Sequence, residues 1–181
     1  RLGEDGVKVE PHPAPEPIVK GGTSVAPLPP RRLAEPFERL RDAADAHLAR
    51  TGKRPRVFLA SLGDLAAHSA RSTWMRNYLA AGGIEVIGEE GFHNSAEAGK
   101  AFADSGAAIA CICGSDQAYA ELAEATAGAL KAAGASHVLL AGQPKGQQGE
   151  LEAAGVDDFI LAGGDAIATL TSLHRALGVS G

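Results

Sequence analysis

The sequence predicts an α/β fold, a three-layer sandwich in which helices cover both faces of a parallel sheet. From residue 55 onward, five short apolar segments alternate with five segments of helical character. The apolar segments are hydrophobic at consecutive positions, as strands buried on both faces are. No proline occurs between Arg56 and Gln143, and proline is excluded from central strands.

Composition and charge exclude several classes of function. The chain has 181 residues, which suits one domain with an extension, and 22 acidic against 17 basic residues give a net charge of −5. Nucleic-acid-binding proteins usually carry a clustered basic face, so we expect no nucleic-acid partner. No apolar run approaches the roughly 18 residues of a membrane span, so we expect no membrane. Two cysteines one residue apart and the lack of a secretory signal predict a cytoplasmic location.

Residues 1–32 hold seven of the ten prolines and favour extended, polyproline-like backbone. We interpret them as a linker or arm, with a proline-rich ligand for a recognition module as the alternative. Because the chain begins at Arg1 and its only methionine is Met75, we expect it to be a piece of a longer protein.

A docking helix and connector are predicted over residues 33–54. Its helical part, 33–50, has an apolar stripe with spacings of three and four, formed by Phe37, Leu40, Ala44 and Leu48. Pro36 fits the first turn, and Thr51-Gly52 ends the helix. A stripe of this kind has to pack on another surface.

Residues 55–181 form the predicted α/β domain. The predicted strands are 56–61, 84–87, 107–113, 137–141 and 158–161. The predicted helices are 67–81, 95–105, 116–133, 147–154 and 165–177. Ser95 is the predicted N-cap of the second of these helices. This alternation favours a flavodoxin-like (Rossmann-like) sheet of strand order 2-1-3-4-5, with its ligand crevice outside the carboxyl ends of the first and third strands. The expected core residues are Val57, Leu59, Ile109, Ile112, Leu139 and Ile160.

The loops that follow the strands contain no dinucleotide fingerprint and no Gly-Lys-Ser/Thr phosphate loop. Gly163-Gly164, before the last helix, has two interpretations. It could hold an anion at a helix N-terminus, or form a tight turn with Asp165 as N-cap.

Two segments resemble a known family. The resemblance is to the C-terminal domain of the methylmalonyl-CoA mutase small (beta) subunit, and it is carried by residues 56–63 through 81–86 and, upstream, by 31–38. It runs from about residue 31 to the end. It implies an isomerase that interconverts methylmalonyl-CoA and succinyl-CoA with adenosylcobalamin. It also implies that the proline-rich arm follows a barrel domain.

Cobalamin-binding relatives carry Asp-x-His-x-x-Gly in the first loop, and this motif aligns with residues 66–71. The resemblance implies that His68 occupies the position of the cobalt ligand. Ala66 replaces the aspartate that orients the histidine, and Arg71 replaces the glycine. The Ser-x-Leu element after the third strand has become Cys113-Gly114-Ser115, and the later Gly-Gly element matches Gly163-Gly164. The cofactor motif is therefore degenerate.

Local alternatives stay open for several side chains. His68 is either a cobalt ligand or a helix-start histidine with local hydrogen bonds. Cys111 and Cys113 point to one face of a strand and act as small core hydrophobes, with a catalytic thiol at Cys113 as the alternative. Asp64 and Asp116 are either paired carboxylates or solvated loop residues. The spacing of the six histidines predicts no zinc site.

The resemblance implies a non-catalytic, structural domain that binds no cofactor itself and pairs with the catalytic large subunit as a heterodimer. Adenosylcobalamin is then expected on that partner. The alternative is a functional cobalamin-binding domain that uses His68 as cobalt ligand. A third class, a flavodoxin-like small-molecule or signalling domain, would need an acidic cluster after the first strand or a hydroxyl-rich phosphate loop, and the sequence has neither.

Overall fold

A computed structural model describes residues 34–88, 91–144 and 146–179. The arm predicted over residues 1–32 lies outside them, so its lack of regular structure stays a prediction. Within the described part, predicted and observed ends of helices and strands agree to within two residues, except where one predicted helix is divided.

The sheet is entirely parallel and has the order β2-β1-β4-β5-β6, so the predicted order 2-1-3-4-5 is confirmed. Its strands are β1 (Arg56–Leu62), β2 (Glu85–Ile87), β3 (Gly91–Phe92), β4 (Ile109–Cys113), β5 (His137–Ala141) and β6 (Asp158–Ile160).

The prediction of five strands was wrong, because the sheet has six among the residues that the structure describes. β2 pairs with the start of β1. The two-residue strand β3 pairs with the end of β1, where Leu62 is in register with Phe92. The chain turns at Gly88, whose φ is +82°. A Cβ there would lie 2.9 Å from the carbonyl oxygen of Leu59, so glycine allows the close approach.

Seven α-helices are assigned in the described residues: α1 (Glu35–Thr51), α2 (Leu65–Ala81), α3 (Ser95–Ser105), α4 (Asp116–Ala118), α5 (Glu124–Ala132), α6 (Gln148–Ala154) and α7 (Ala166–Ala176). The predicted helix 116–133 is a continuous run interrupted by a π-helical turn, Tyr119–Ala123. Ser95 was wrongly predicted as the N-cap of α3. Asn94 caps it, because its side chain accepts a hydrogen bond from the Glu97 backbone N–H at 2.9 Å.

Two apolar layers hold the sandwich together, one on each face of the sheet. On one face, Phe58, Phe102 and Leu130 form part of a cluster that includes α3 and α5. On the other, residues of α1, α2 and α7 pack together, Leu40 of α1 among them. All six predicted core residues are buried. Among the described residues, the structure contains no helix with the length and apolar character of a membrane span.

Candidate functional site

The expected crevice lies where the carboxyl ends of β1 and β4 run side by side, with Ser61 paired to Cys113. Chain connections leave these neighbouring strands toward opposite sides, which opens a space for ligands in folds of this class. Immediately after β1, α2 begins and carries Ala66, His68 and Arg71 in its first two turns.

The later glycine pair is more distant from the crevice. Gly163 and Gly164 follow β6, which is three strands away from β1, or roughly 14 Å at the usual spacing. The structure therefore brings together the first two elements of the degenerate motif and leaves the third at the far side of the same sheet edge.

Arg71 fills the crevice. Its guanidinium donates hydrogen bonds to the carbonyl oxygen of Gly114 and, at 2.5 Å, to the carboxylate of Asp116. The guanidinium carbon lies 4.8 Å from the centre of the Tyr119 ring. A Cβ on Gly142 would lie 3.4 Å from Nε of Arg71, so the glycine after β5 leaves room for this side chain. One arginine thus contacts the loops after both β4 and β5.

The neighbours of Arg71 stabilise the charged form of its guanidinium. Burial by itself lowers the pKa of the guanidinium, but the hydrogen bond to Asp116 and the contacts with Tyr119 raise the pKa overall. The side chain is 32% exposed, whereas that of Asp116 is 79% exposed. Arg71 is therefore a fixed cation, half inside the crevice.

Tyr119 forms the floor beneath Arg71. Its ring is buried, and its hydroxyl donates to the carbonyl oxygen of Ala141 at 2.7 Å, with the carbonyl oxygen of Ile112 at 3.3 Å. Burial raises the pKa of the phenol, so it stays protonated and remains a donor. Tyr119 opens the π-helical turn, and such turns often occur at functional sites.

His68 is buried, with 4% of its surface exposed. Nδ1 lies 3.3 Å from the Ser72 hydroxyl, and that hydroxyl lies 3.0 Å from the hydroxyl of Ser61. Burial lowers the pKa of the imidazole, which favours its neutral form. Local hydrogen bonds of this kind match the helix-start interpretation, while the exposed Ala66 has no carboxylate to offer.

The opposite ring nitrogen of His68 lies beneath β3. A Cβ on Gly91 would come within 3.2 Å of Nε2 and within 2.1 Å of the carbonyl oxygen of Gly63. Contacts this short are possible only because residue 91 is glycine. β3 therefore covers the imidazole edge that a cobalt ligand would have to present.

Comparisons with known proteins identify relatives along nearly the whole chain. No protein-family profile matches it. It is 46% identical over 179 residues to the methylmalonyl-CoA mutase small subunit of Streptomyces virginiae, covering 99% of the chain and 27% of that protein. It is 42% identical over 179 residues to the probable methylmalonyl-CoA mutase small subunit of Mycobacterium bovis, covering 98% of the chain and 28% of that protein. The chain is a homologue of the methylmalonyl-CoA mutase small subunit.

This mutase small-subunit homologue spans about a quarter of the length of those relatives. Among solved structures it is similar to a cobalamin-binding protein from Desulfitobacterium hafniense DCB-2, with a TM-score of 0.53 and 24% identity, covering 77% of the chain and 66% of that protein. At this level of identity the likeness supports the flavodoxin-like fold alone.

The two cysteines of the chain lie in the core. Both are fully buried, and the pKa of Cys111 is raised by its hydrogen bond with Cys113 and by burial. A fully buried thiol is out of reach of a substrate, so the geometry favours small core hydrophobes over a catalytic thiol. Ser115 has a structural role as N-cap, since its hydroxyl accepts from the Ala118 backbone N–H at 3.1 Å.

The two candidate carboxylates, Asp64 and Asp116, face solvent. Asp64 is 86% exposed and lies 3.5 Å from Nε2 of His93, whereas Asp116 pairs with Arg71. Separate partners and high exposure match solvated loop residues. At Gly163 and Gly164 the chain makes a tight turn, and Asp165 caps α7 by accepting from the Ala168 backbone N–H at 2.9 Å.

Sequence reasoning missed the contributions of Tyr119, Ser72 and Gly91. Tyr119 carried one signal, since it is the only aromatic residue in the predicted helix 116–133. The roles of Ser72 and Gly91 depend on contacts across the fold, for which the sequence holds no local pattern. In the part of the chain that the structure describes, no group of three or more potential metal ligands comes together.

Proposed function

We propose that this domain is a non-catalytic, structural part of an adenosylcobalamin-dependent methylmalonyl-CoA mutase. In this proposal it belongs to the small subunit, pairs with the catalytic large subunit as a heterodimer, and leaves the cofactor to that partner. The names of the relatives support the subunit assignment. Their greater length leaves room for the barrel domain that is expected to precede the chain.

The observation that carries the proposal is the position of Arg71. Its side chain lies between the loops after β4 and β5 and hydrogen-bonds to Gly114 and Asp116. In cobalamin-binding relatives, glycine at this position leaves space for the nucleotide tail. The residues present do not fit cobalamin, because a tail could enter only if Arg71 gave up its contacts with Tyr119 and with both of these partners.

The environment of His68 supports the same conclusion. A cobalt-bound histidine normally donates its other ring N–H to a carboxylate, a backbone carbonyl or water, and such partners contribute about 10- to 100-fold in metal affinity. Here the Nδ1 partner is the Ser72 hydroxyl, 3.3 Å away, and Ala66 supplies no carboxylate. Ligation would also require β3 to move away from Nε2.

The alternative function is an active cobalamin-binding domain with His68 as cobalt ligand. The observation that favours it is that His68 stands at the ligand position of the motif, on α2 beside the crevice. This alternative requires β3 to move away from the imidazole of His68 and Arg71 to give up its hydrogen bonds to Gly114 and Asp116.

Titration of the chain with cobalamin, followed by absorbance and calorimetry, decides between the two functions. We expect no binding in the micromolar range and no change in the cobalamin spectrum. Micromolar binding that is lost in His68→Ala would reject the structural role and favour the alternative. In the assembled mutase, His68→Ala in the small subunit should leave turnover unchanged.

A further inference from the structure

We propose that a cavity beside Arg71 is a binding site for a small carboxylate ligand. In this structure the carboxylate of Asp116 occupies the position that the ligand would take on Arg71. The cavity measures about 480 Å³ and is lined by Arg71, Asp116, Ala120, Gln143, Pro144, Gly146 and Gln147. That volume lies within the ordinary range for small-molecule sites, roughly 300–1,000 Å³. It lies outside the carboxyl ends of β4 and β5, next to the crevice between β1 and β4.

Arg71 is built to recognise an oxyanion. Its guanidinium lies on the face of Tyr119, and that ring is fixed by the hydrogen bond from its hydroxyl to Ala141. A planar guanidinium held on an aromatic face presents several N–H donors in fixed directions, which suits a carboxylate. The hydrogen bond to Gly114 holds one arm of the fork, so the other arm is directed at Asp116.

Asp116 stands in for the ligand. Its carboxylate is 79% exposed and comes from the start of α4, so it can turn into solvent without unfolding the site. Exposed ion pairs contribute about 0–1 kcal/mol, and an external carboxylate therefore competes with Asp116 at a cost of no more than about fivefold in affinity.

A second donor lines the same cavity. The side-chain amide of Gln147 has no hydrogen-bond partner among the residues that the structure describes, and it does not cap α6. The neighbouring Gln143 is already engaged, since its Nε2 donates to Gln148 at 2.8 Å. A carboxylate on Arg71 would find the N–H₂ group of Gln147 as a further donor.

The test is an NMR titration of the 15N-labelled chain with sodium acetate, with sodium chloride at equal ionic strength as reference. We expect saturable shifts of the Arg71 Nε–Hε resonance. Asp116→Asn should bind acetate about threefold to fivefold more tightly, because the internal competitor has lost its charge. Asp104→Asn, an exposed carboxylate on α3, is the matched control and should behave like the unmodified chain.

Two further variants keep the proposal open to refutation. Gln147→Ala should weaken acetate binding while leaving the Arg71 contacts intact. Arg71→Lys has no Nε–Hε group, so its readout is the backbone amide of Gln147, which should shift saturably with acetate in the unmodified chain and show no saturable shift in the variant. Equal responses to acetate and chloride in Asp116→Asn would overturn the proposal, as would binding of inorganic phosphate without binding of acetate. The site does not involve cobalamin, so its failure would leave the proposed function untouched.

Discussion

The guanidinium carbon of Arg71 lies 4.8 Å from the centre of the Tyr119 ring, and the two residues come from helices that follow different strands. Arg71 adds a hydrogen bond to Gly114, and Tyr119 adds one to Ala141. The pair thereby joins α2 to the carboxyl ends of β4 and β5. A pair of side chains that makes these contacts should contribute to the stability of the domain.

Arg71→Ala should lower the free energy of unfolding by about 2 kcal/mol, the combined order of a cation–π contact and a charged hydrogen bond to a backbone carbonyl. Chemical denaturation measures the change. Lys100→Ala, which removes an exposed cation from α3, is the control and should change stability by less than about 0.5 kcal/mol. Equal effects of the two substitutions would show that Arg71 is an ordinary surface cation.

Tyr119→Phe should lower the free energy of unfolding by about 1–2 kcal/mol. The substitution keeps the ring under Arg71 but removes the hydroxyl from the buried carbonyl of Ala141, 2.7 Å away. Thermal and chemical denaturation measure the loss. Tyr78 has a less buried side chain, so Tyr78→Phe is the comparison and should cost less. A neutral Tyr119→Phe would mean that water replaces the hydroxyl.

The fold was predictable because its signals are local. Buried strands such as β1 and β4 are continuous apolar runs, and Gly52 and Gly106 end their helices in left-handed conformations. β3 was missed because two residues cannot display a periodicity. The choice between Asn94 and Ser95 as N-cap depends on which side chain reaches the Glu97 N–H, and a sequence pattern does not fix that.

The site was predictable in its position but less so in its contacts. Sequence reasoning placed Arg71 at the glycine position of the motif, but its partners are 43 and 45 residues away in the chain. The aromatic floor under Arg71 arises from the π-helical turn, which shifts the helical register around Tyr119. Long-range pairs of this kind follow from the packed fold and leave no periodic trace.

Gly91→Ala should be strongly destabilising, by about 2 kcal/mol or more. The new Cβ would lie 2.1 Å from the carbonyl oxygen of Gly63, and a backbone atom cannot move aside as a flexible side chain can. Gly128→Ala is the matched control. It lies inside α5 with no atom near the added Cβ, and it should stabilise the chain by about 0.5–1 kcal/mol. Denaturation of both variants provides the comparison, and a neutral Gly91→Ala would contradict the packing of β3 over His68.

The free energy of unfolding should decrease as the pH falls, because His68 becomes protonated on unfolding. Because burial lowers the pKa of the folded imidazole, the unfolded chain binds more protons than the folded chain below the unfolded pKa of about 6.5. The stability present above that pKa is therefore lost as the pH falls from about 6.5 toward the lowered folded value. Denaturation of the unmodified chain and His68→Gln between pH 7.5 and 5 measures it. The variant should show a shallower decline, and parallel curves would assign the pH dependence to other groups.

Restoring the cobalamin motif should require more than its aspartate. Ala66→Asp alone supplies a carboxylate for His68, but Arg71 still fills the crevice, so we expect no binding of cobalamin. The combined variant Ala66→Asp, Arg71→Gly, Cys113→Ser and Ser115→Leu opens the crevice and rebuilds both loops. We expect it to bind the cofactor, with β3 moving to expose Nε2 of His68. The same four substitutions with His68→Ala are the matched control, since they open the crevice without a cobalt ligand. Absorbance titration separates the outcomes: ligation through imidazole changes the cobalamin spectrum, whereas binding of the tail alone does not. Micromolar binding by Ala66→Asp alone would show that the missing carboxylate, and not Arg71, is what prevents the domain from holding the cofactor.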